Sequence, residues 1–271
     1  MHVFSSKNLL VVSTLLVGIL GATSSAANAA SFSIDFESGL PPEALFFQEQ
    51  PEGAGIIPFT PSIETINGNN VLRLSDDLPL SQGGANTSSI VNPVTTFENV
   101  KVSALLNPAG DTNDQFLLLA RLNLTTFDTY VAGVDFATNR LFLNKVVGGE
   151  VPTSPIVETF DVLPDLTQPY FAEFTVIGEK LTGRVFDETG TNQLAELSFV
   201  DTDNPLSAGI TAISVDISDR AFPELDDPNN ATIDNFAATS VPEPHSMLGL
   251  VAVGALATKI SRRSSVLTKL R

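Results

Sequence analysis

The sequence predicts an all-β protein, an antiparallel β-sandwich, and three observations carry that expectation. Hydrophobic periodicity through the middle of the chain is two rather than 3.6. In YFAEFTVIG (170–178), Tyr170, Ala172, Phe174 and Val176 share one face, and Phe171, Glu173, Thr175 and Ile177 share the other. Turn signals such as IGEK, DETGTN, FATNR, VGGEVP and DTDNP separate the alternating runs. No stretch within residues 31–240 carries an amphipathic helical pattern.

The elements follow in order from the amino terminus. MHVFSSK contributes positive charge, residues 9–20 (LLVVSTLLVGIL) are apolar apart from Ser13 and Thr14, and Ala27-Asn28-Ala29 fits the small-residue cleavage rule. Residues 1–29 therefore read as a secretory signal peptide cut after Ala29, its apolar core shorter than the ~20 residues needed to span a bilayer. The strand candidates come next: SIDF, VLRLS, SSIVN, ENVKVSALL, QFLLLARL, YVAGVDFA, RLFLNKVV, VETFDV, YFAEFTVIG, LTGRVFD, LAELSFV, GITAISVDIS and ATIDNFAA. Short strands so spaced make one sandwich or barrel over residues 30–240, with no repeat and no linker to divide it. That length buries roughly 70 % of its unfolded surface, so it folds without staples.

Residues 241–271 are of a different kind. Val241-Pro242-Glu243-Pro244 leads into an apolar stretch, 247–258, expected as a short helix, and then into a basic tail with Arg262 and Arg263. This tripartite pattern resembles the PEP-CTERM sorting signal of Gram-negative and cyanobacterial envelopes. The resemblance implies that an exosortase-type membrane protease recognises the motif and processes the chain. It also implies transient membrane insertion by the C-terminal helix and a setting of exopolysaccharide or biofilm. The chain continues as SSVLTKLR past the arginine pair, which leaves the processing point open. An ordinary tail anchor in a tilted or thinned bilayer is the competing reading.

The run from Tyr130 to Phe236 resembles a concanavalin-A-like, laminin-G-like jelly roll. The likeness lies in YVAGVDFATNRLFLNKVVGG, then YFAEFTVIGEKLTGRVFD, then the closing ATIDNF. It implies adjacent first and last strands, and hence an approach of Asp35 or Glu37 in the first to Asp234 in the last. Relatives often hold a structural calcium between such acids, and Ca²⁺ takes six to eight oxygens. Turn and backbone hydrogen bonds are the other use of these side chains.

Composition removes much chemistry. The chain has no cysteine, and its two histidines, His2 and His245, lie in the terminal segments. The domain therefore excludes Ser-His-Asp and Cys-His catalysis and histidine-held zinc or iron. Residues 31–240 hold 30 acidic and 8 basic side chains, a net of −22 that repels nucleic acid. The alternating acids that glucanases of this fold carry are missing; the nearest are Asp201/Asp203 and Asp216/Asp219. A lyase would have to use Tyr130 with Lys145 or Arg140. There is no tryptophan, so Tyr130 and Tyr170, placed at strand starts, are the candidates for stacking on a sugar, while the phenylalanines belong to the core. Three acidic loops, 111–114, 201–204 and 224–230, lack the EF-hand pattern.

These readings converge on a non-catalytic exported protein of the cell surface or matrix, associated with exopolysaccharide. The alternatives are a lectin-like carbohydrate-binding module and a carbohydrate-active hydrolase or lyase.

Overall fold

The structure, a computed structural model, describes residues 30–49, 56–58, 61–74, 87–108, 114–152, 154–217 and 231–242. The expected signal peptide, the 247–258 helix and the basic tail lie outside them. Among the described residues there are strands and turns but no helix, and so none long and apolar enough to cross a membrane.

Two antiparallel sheets form the sandwich. The first contains β1 (Ser31–Ile34), β4 (Ser62–Ile66), β5 (Asn69–Arg73), β7 (Val100–Asn107), β12 (Tyr170–Ile177), β13 (Lys180–Phe186), β14 (Gln193–Val200) and β16 (Thr232–Ser240). Its order is β14-β13-β12-β7-β16-β5-β4, with β1 also on β16. The second contains β2 (Leu45–Glu49), β3 (Ile56–Pro58), β6 (Thr87–Phe97), β8 (Asp114–Leu122), β9 (Thr129–Asp135), β10 (Arg140–Val146), β11 (Val157–Phe160) and β15 (Gly209–Ile217). Its order is β11-β10-β9-β8-β15-β6-β2-β3. First and last strands pair as the jelly-roll resemblance implied, Ser31 opposite Thr239 and Ile34 opposite Phe236.

The alternation in β12 does what its pattern requires: Tyr170, Ala172, Phe174 and Val176 are buried, and the residues between them half-buried. The core between the sheets is rich in phenylalanine, with Phe36, Phe116, Phe136, Phe174 and Phe236 fully enclosed. The second sheet departs from one-sided alternation, since every residue of β9 is buried. On its outer face Phe142 lies across Gly133, and Val91, Leu122 and Ala212 form a small apolar cluster of their own.

Several strands were missing from the sequence reading, namely β2, β3 and β4. They are three to five residues long and lie toward sheet edges, so they show too few alternations to register. β6 runs on through Pro93, and the ladder to β15 breaks between Asn92 and Phe97. A missing N–H costs nothing at such a break. There Gly209 approaches the backbone of Arg121 so closely that a Cβ would stand 2.4 Å from its carbonyl carbon.

Candidate functional site

The site grows from the first residues of β16. Alternation puts Thr232 and Asp234 on the outer face of the first sheet, while Ile233 between them is buried opposite Leu72 and Leu106. A bulge then sets two β16 residues, Asn235 and Phe236, against one on β7. Asn235 takes a left-handed φ of 52° there. Such bulges re-aim side chains beside functional surfaces. Leu105 of β7 and Val71 of β5 share this face and supply an aliphatic floor.

Three turns wall the floor into a pocket of about 420 Å³. One wall is the β4–β5 hairpin, where Asn67 and Gly68 have φ of 54° and 84°, the type I′ geometry for which Asn-Gly is selected. The opposite walls come from Gln168-Pro169 ahead of β12 and from Glu188 in the β13–β14 turn. Among the described residues, no Lys or Arg lines the pocket. Thr232 is 1 % exposed, and its hydroxyl has no hydrogen-bond partner among the described residues.

Asp234 is the best-held group in the pocket. Its Oδ2 accepts from Asn69 Nδ2 at 2.8 Å and from Asn235 Nδ2 at 2.9 Å, and its Oδ1 accepts from the Asn235 backbone N–H at 2.7 Å. Glu37 reaches the same hairpin, its Oε1 accepting from Asn70 N–H at 3.0 Å. Asp35 caps its own turn, taking the Glu37 N–H at 3.2 Å. Asn69 and Asn70 thus bridge the two terminal strands. Glu37 and Asp234 thus meet neighbouring residues of one hairpin through N–H donors, while Asp35 bonds within its own turn.

The other expected groups are structural. Tyr130 and Tyr170 are buried rather than on a rim, at 0 % and 4 % exposure, so neither can stack on a sugar. The Tyr130 hydroxyl donates to Asp201 and accepts the Leu206 N–H at 2.8 Å. The Tyr170 hydroxyl donates to the Asp165 carbonyl at 2.7 Å. Burial first, and then the bond to Asp201, push Tyr130 up to about 12. It is therefore a poor base. Lys145 pairs with Asp201 at 2.8 Å. Burial pushes Asp201 up, but Lys145 and Tyr130 outweigh it and hold the carboxyl below its ordinary value. Arg140 lies on the opposite face of its sheet, between Asp135 at 3.0 Å and Glu158 at 2.8 Å. The Arg140 cation thus sits between these two acids.

Solved structures resemble this architecture. The exoplasmic/lumenal domain of VIP36 in its Ca²⁺/Man3GlcNAc-bound form matches with a TM-score of 0.52 at 13 % identity, covering 79 % of this chain and 92 % of that one. Lectin II from Ulex europaeus matches at 0.52 and 9 % identity, covering 78 % and 99 %. The β-glucanase of Bacillus licheniformis matches at 0.50 and 12 %, covering 79 % and 100 %. The chain has the lectin-type jelly-roll fold. No protein-family model matches it, and no curated protein matches it in sequence.

A calcium ion at Asp35, Glu37 and Asp234 does not fit this jelly roll as the residues stand. The cation needs six to eight oxygens, whereas the acids here face N–H donors, and no three acids gather among the described residues. Of the sorting-motif residues, Val241 and Pro242 are described. The Val241 N–H bonds the Asn99 carbonyl at 3.1 Å, one residue past β16. Glu243, Pro244, Arg262 and Arg263 lie outside the described residues, as do Ala27 and Ala29. Sequence reasoning missed Asn69, Leu105 and Thr232; the Asn-Gly turn signal at 67–68 was the one trace of them.

Proposed function

We propose that the chain is an exported, non-catalytic carbohydrate-binding module of the cell surface, and that it binds glycan in the pocket over β5, β7 and β16. The observation that carries this reading is the make-up of that pocket. An aliphatic floor with a few converging amide, hydroxyl and carboxylate groups is how small-molecule sites hold a polar ligand. The lectin-type fold supports it, since two similar structures are a lectin and a domain bound to Man3GlcNAc. The engaged states of Tyr130, Lys145 and Arg140 support a binding role over hydrolysis or elimination.

Export rests on the signal peptide at 1–29, and retention on the PEP-CTERM-like segment from Val241, with an exosortase-type protease as processing partner and exopolysaccharide as the glycan. The chain enters the sandwich at Ser31 and leaves it at Ser240 on paired strands. Thr232 lies at the far end of β16, roughly 25 Å from Ser240 at ~3.3 Å per strand residue. A module held by its C-terminus would present the pocket away from its attachment.

Binding is tested by glycan-array screening of the full chain beside Asp234→Ala. Retention of neutral or envelope-derived glycans, weakened in the variant, is expected; no retention of any glycan would end the reading. Sorting is tested separately, by replacing Pro242, Glu243 and Pro244 with alanine in cells. Accumulation of unprocessed chain is expected, and unchanged processing would exclude the motif.

A further inference from the structure

We infer that the end of the sandwich from which the chain leaves is a membrane-contacting surface, with Leu124, Phe127, Val147 and Val151 resting in the interfacial layer of a neutral bilayer. This rests on the reading that residues 247–258 enter a membrane, and adds that the folded body touches it.

The four side chains stand on two turns that meet. Phe127 and Val151 are 42 % and 70 % exposed, and Leu124 and Val147 are exposed in the same turns, 123–128 between β8 and β9 and 147–151 after β10. Asp128 Oδ1 accepts the Gly148 N–H at 2.6 Å, and a Cβ on Gly149 would stand 3.5 Å from Phe127 Cβ. Apolar groups exposed singly need no explanation, but adjoining ones mark a contact surface. Phe127 also has a left-handed φ of 56°, an outlying conformation for a bulky residue. Asn123 holds it there, its carbonyl accepting the Phe127 N–H at 2.7 Å. The backbone thus takes a costly conformation to keep an aromatic ring on a surface turn, as strained residues do at binding surfaces.

The exit of the chain decides what meets this surface. Arg121, just ahead of the first turn, donates from Nε to the Glu98 carbonyl at 2.8 Å. The next carbonyl, that of Asn99, accepts the Val241 N–H at 3.1 Å, so the last strand ends at the same end of the sandwich. Four residues, 243–246, separate Pro242 from the apolar run 247–258. At ~3.3–3.6 Å per residue, Pro242 lies no farther than about 18 Å from the start of that run. When the run enters a bilayer it draws these turns to the lipid surface. Binding of this kind grows with the apolar area buried at the interface.

Charge selects the lipid. Glu98, Glu150, Glu179 and Asp203 are exposed at this end. Lys145 is held by Asp201 and Lys101 by Glu173, so Lys180 stands against four acids. Anionic headgroups are repelled, and neutral ones are not.

The chain has no tryptophan, so a single introduced indole reports its own surroundings. The full chain carrying Phe127→Trp, and separately Gln168→Trp at the opposite end ahead of β12, is mixed with phosphatidylcholine vesicles, with and without bromine on the acyl chains. The indole at position 127 should shift to the blue on vesicle binding and lose at least half its emission to the bromines; the one at 168 should do neither. Leu124→Ser combined with Val151→Ser should weaken vesicle partitioning about tenfold, as part-burial of two aliphatic side chains implies, at an unchanged thermal midpoint. Adding phosphatidylglycerol should weaken it further. A chain that sediments with vesicles while the indole at 127 stays in water overturns the inference and leaves membrane entry of 247–258 standing. A blue shift already present without lipid does the same, since another segment or a second copy would then cover the turns, and so does partitioning that the double serine variant leaves unchanged. A chain that never sediments with the vesicles overturns both.

Discussion

Asn69 Nδ2 meets Asp234 Oδ2 at 2.8 Å although 165 positions separate them in the chain. The contact ties the β4–β5 hairpin to the last strand and sets the pocket wall. Removing the carboxylate leaves three N–H groups without their acceptor. Asp234→Ala should therefore cost about 2 kcal/mol, in the range for hydrogen bonds to charged groups, and lower the midpoint by roughly 4–8 °C. Asn69→Ala should cost less, and the double variant should fall short of the sum by ~0.5 kcal/mol or more. Strict additivity in denaturant melts would show that the pair is not coupled.

The contact of Tyr130 with Asp201 predicts a pH dependence on both sides of neutrality. Tyr130 titrates near 12 in the folded chain, above its ordinary value of about 10. Its contribution is whole below pH ~10 and is lost as pH rises to about 12. Asp201 is shifted down, so its contribution is present above the ordinary carboxylate range and lost as pH falls through its folded value. Denaturant midpoints of wild type and Tyr130→Phe should differ by an amount that shrinks between pH 10 and 12. A gap that stays constant across that window would show that the phenol does not hold its proton as the geometry requires.

Thr211 of β15 stands directly opposite Asn92 of β6, both fully buried. Thr211 Oγ1 and Asn92 Nδ2 each have no hydrogen-bond partner among the described residues, while Asn92 Oδ1 accepts from the Val94 and Thr95 N–H groups. Thr211→Val removes one orphan without changing shape and should raise the melting midpoint by roughly 2–4 °C, about 1 kcal/mol. A lowered midpoint would mean that a bound water bridges the two groups and that the hydroxyl is satisfied after all.

The sandwich was legible because alternation in β12 and its neighbours is a direct image of a half-buried sheet. The pairing of the first and last strands was legible only through the jelly-roll resemblance, because pairing between distant segments leaves no local pattern. The ligands of Glu37 and Asp234 were hidden for a related reason. Asn69, Asn70 and Asn235 look like turn residues, and only the β16 bulge together with the β4–β5 hairpin brings two of them onto Asp234. Tyr130 misled because a strand-opening tyrosine suits a rim as well as a loop clasp, and the deciding residue, Asp201, lies in a distant turn. Thr232 was invisible, since a lone threonine in an alternating strand does not reveal whether its hydroxyl is paired.

The outer face of the second sheet offers the most stringent test of packing. Phe142 lies opposite Gly133, and a Cβ at Gly133 would stand 2.0 Å from the tip of its ring. The Arg140 guanidinium covers the ring at 4.7 Å from its centroid and is itself held by Asp135 and Glu158, so the ring has little room to withdraw. Gly133→Ala should cost about 1–3 kcal/mol through overpacking. Phe142→Ala should cost about 3–5 kcal/mol through the cavity it leaves. In the double variant the new methyl occupies part of that cavity, so the combined loss should be smaller than the sum by at least ~1 kcal/mol. Additive losses would mean that the ring does not rest on Gly133, and that this face owes its burial to other contacts.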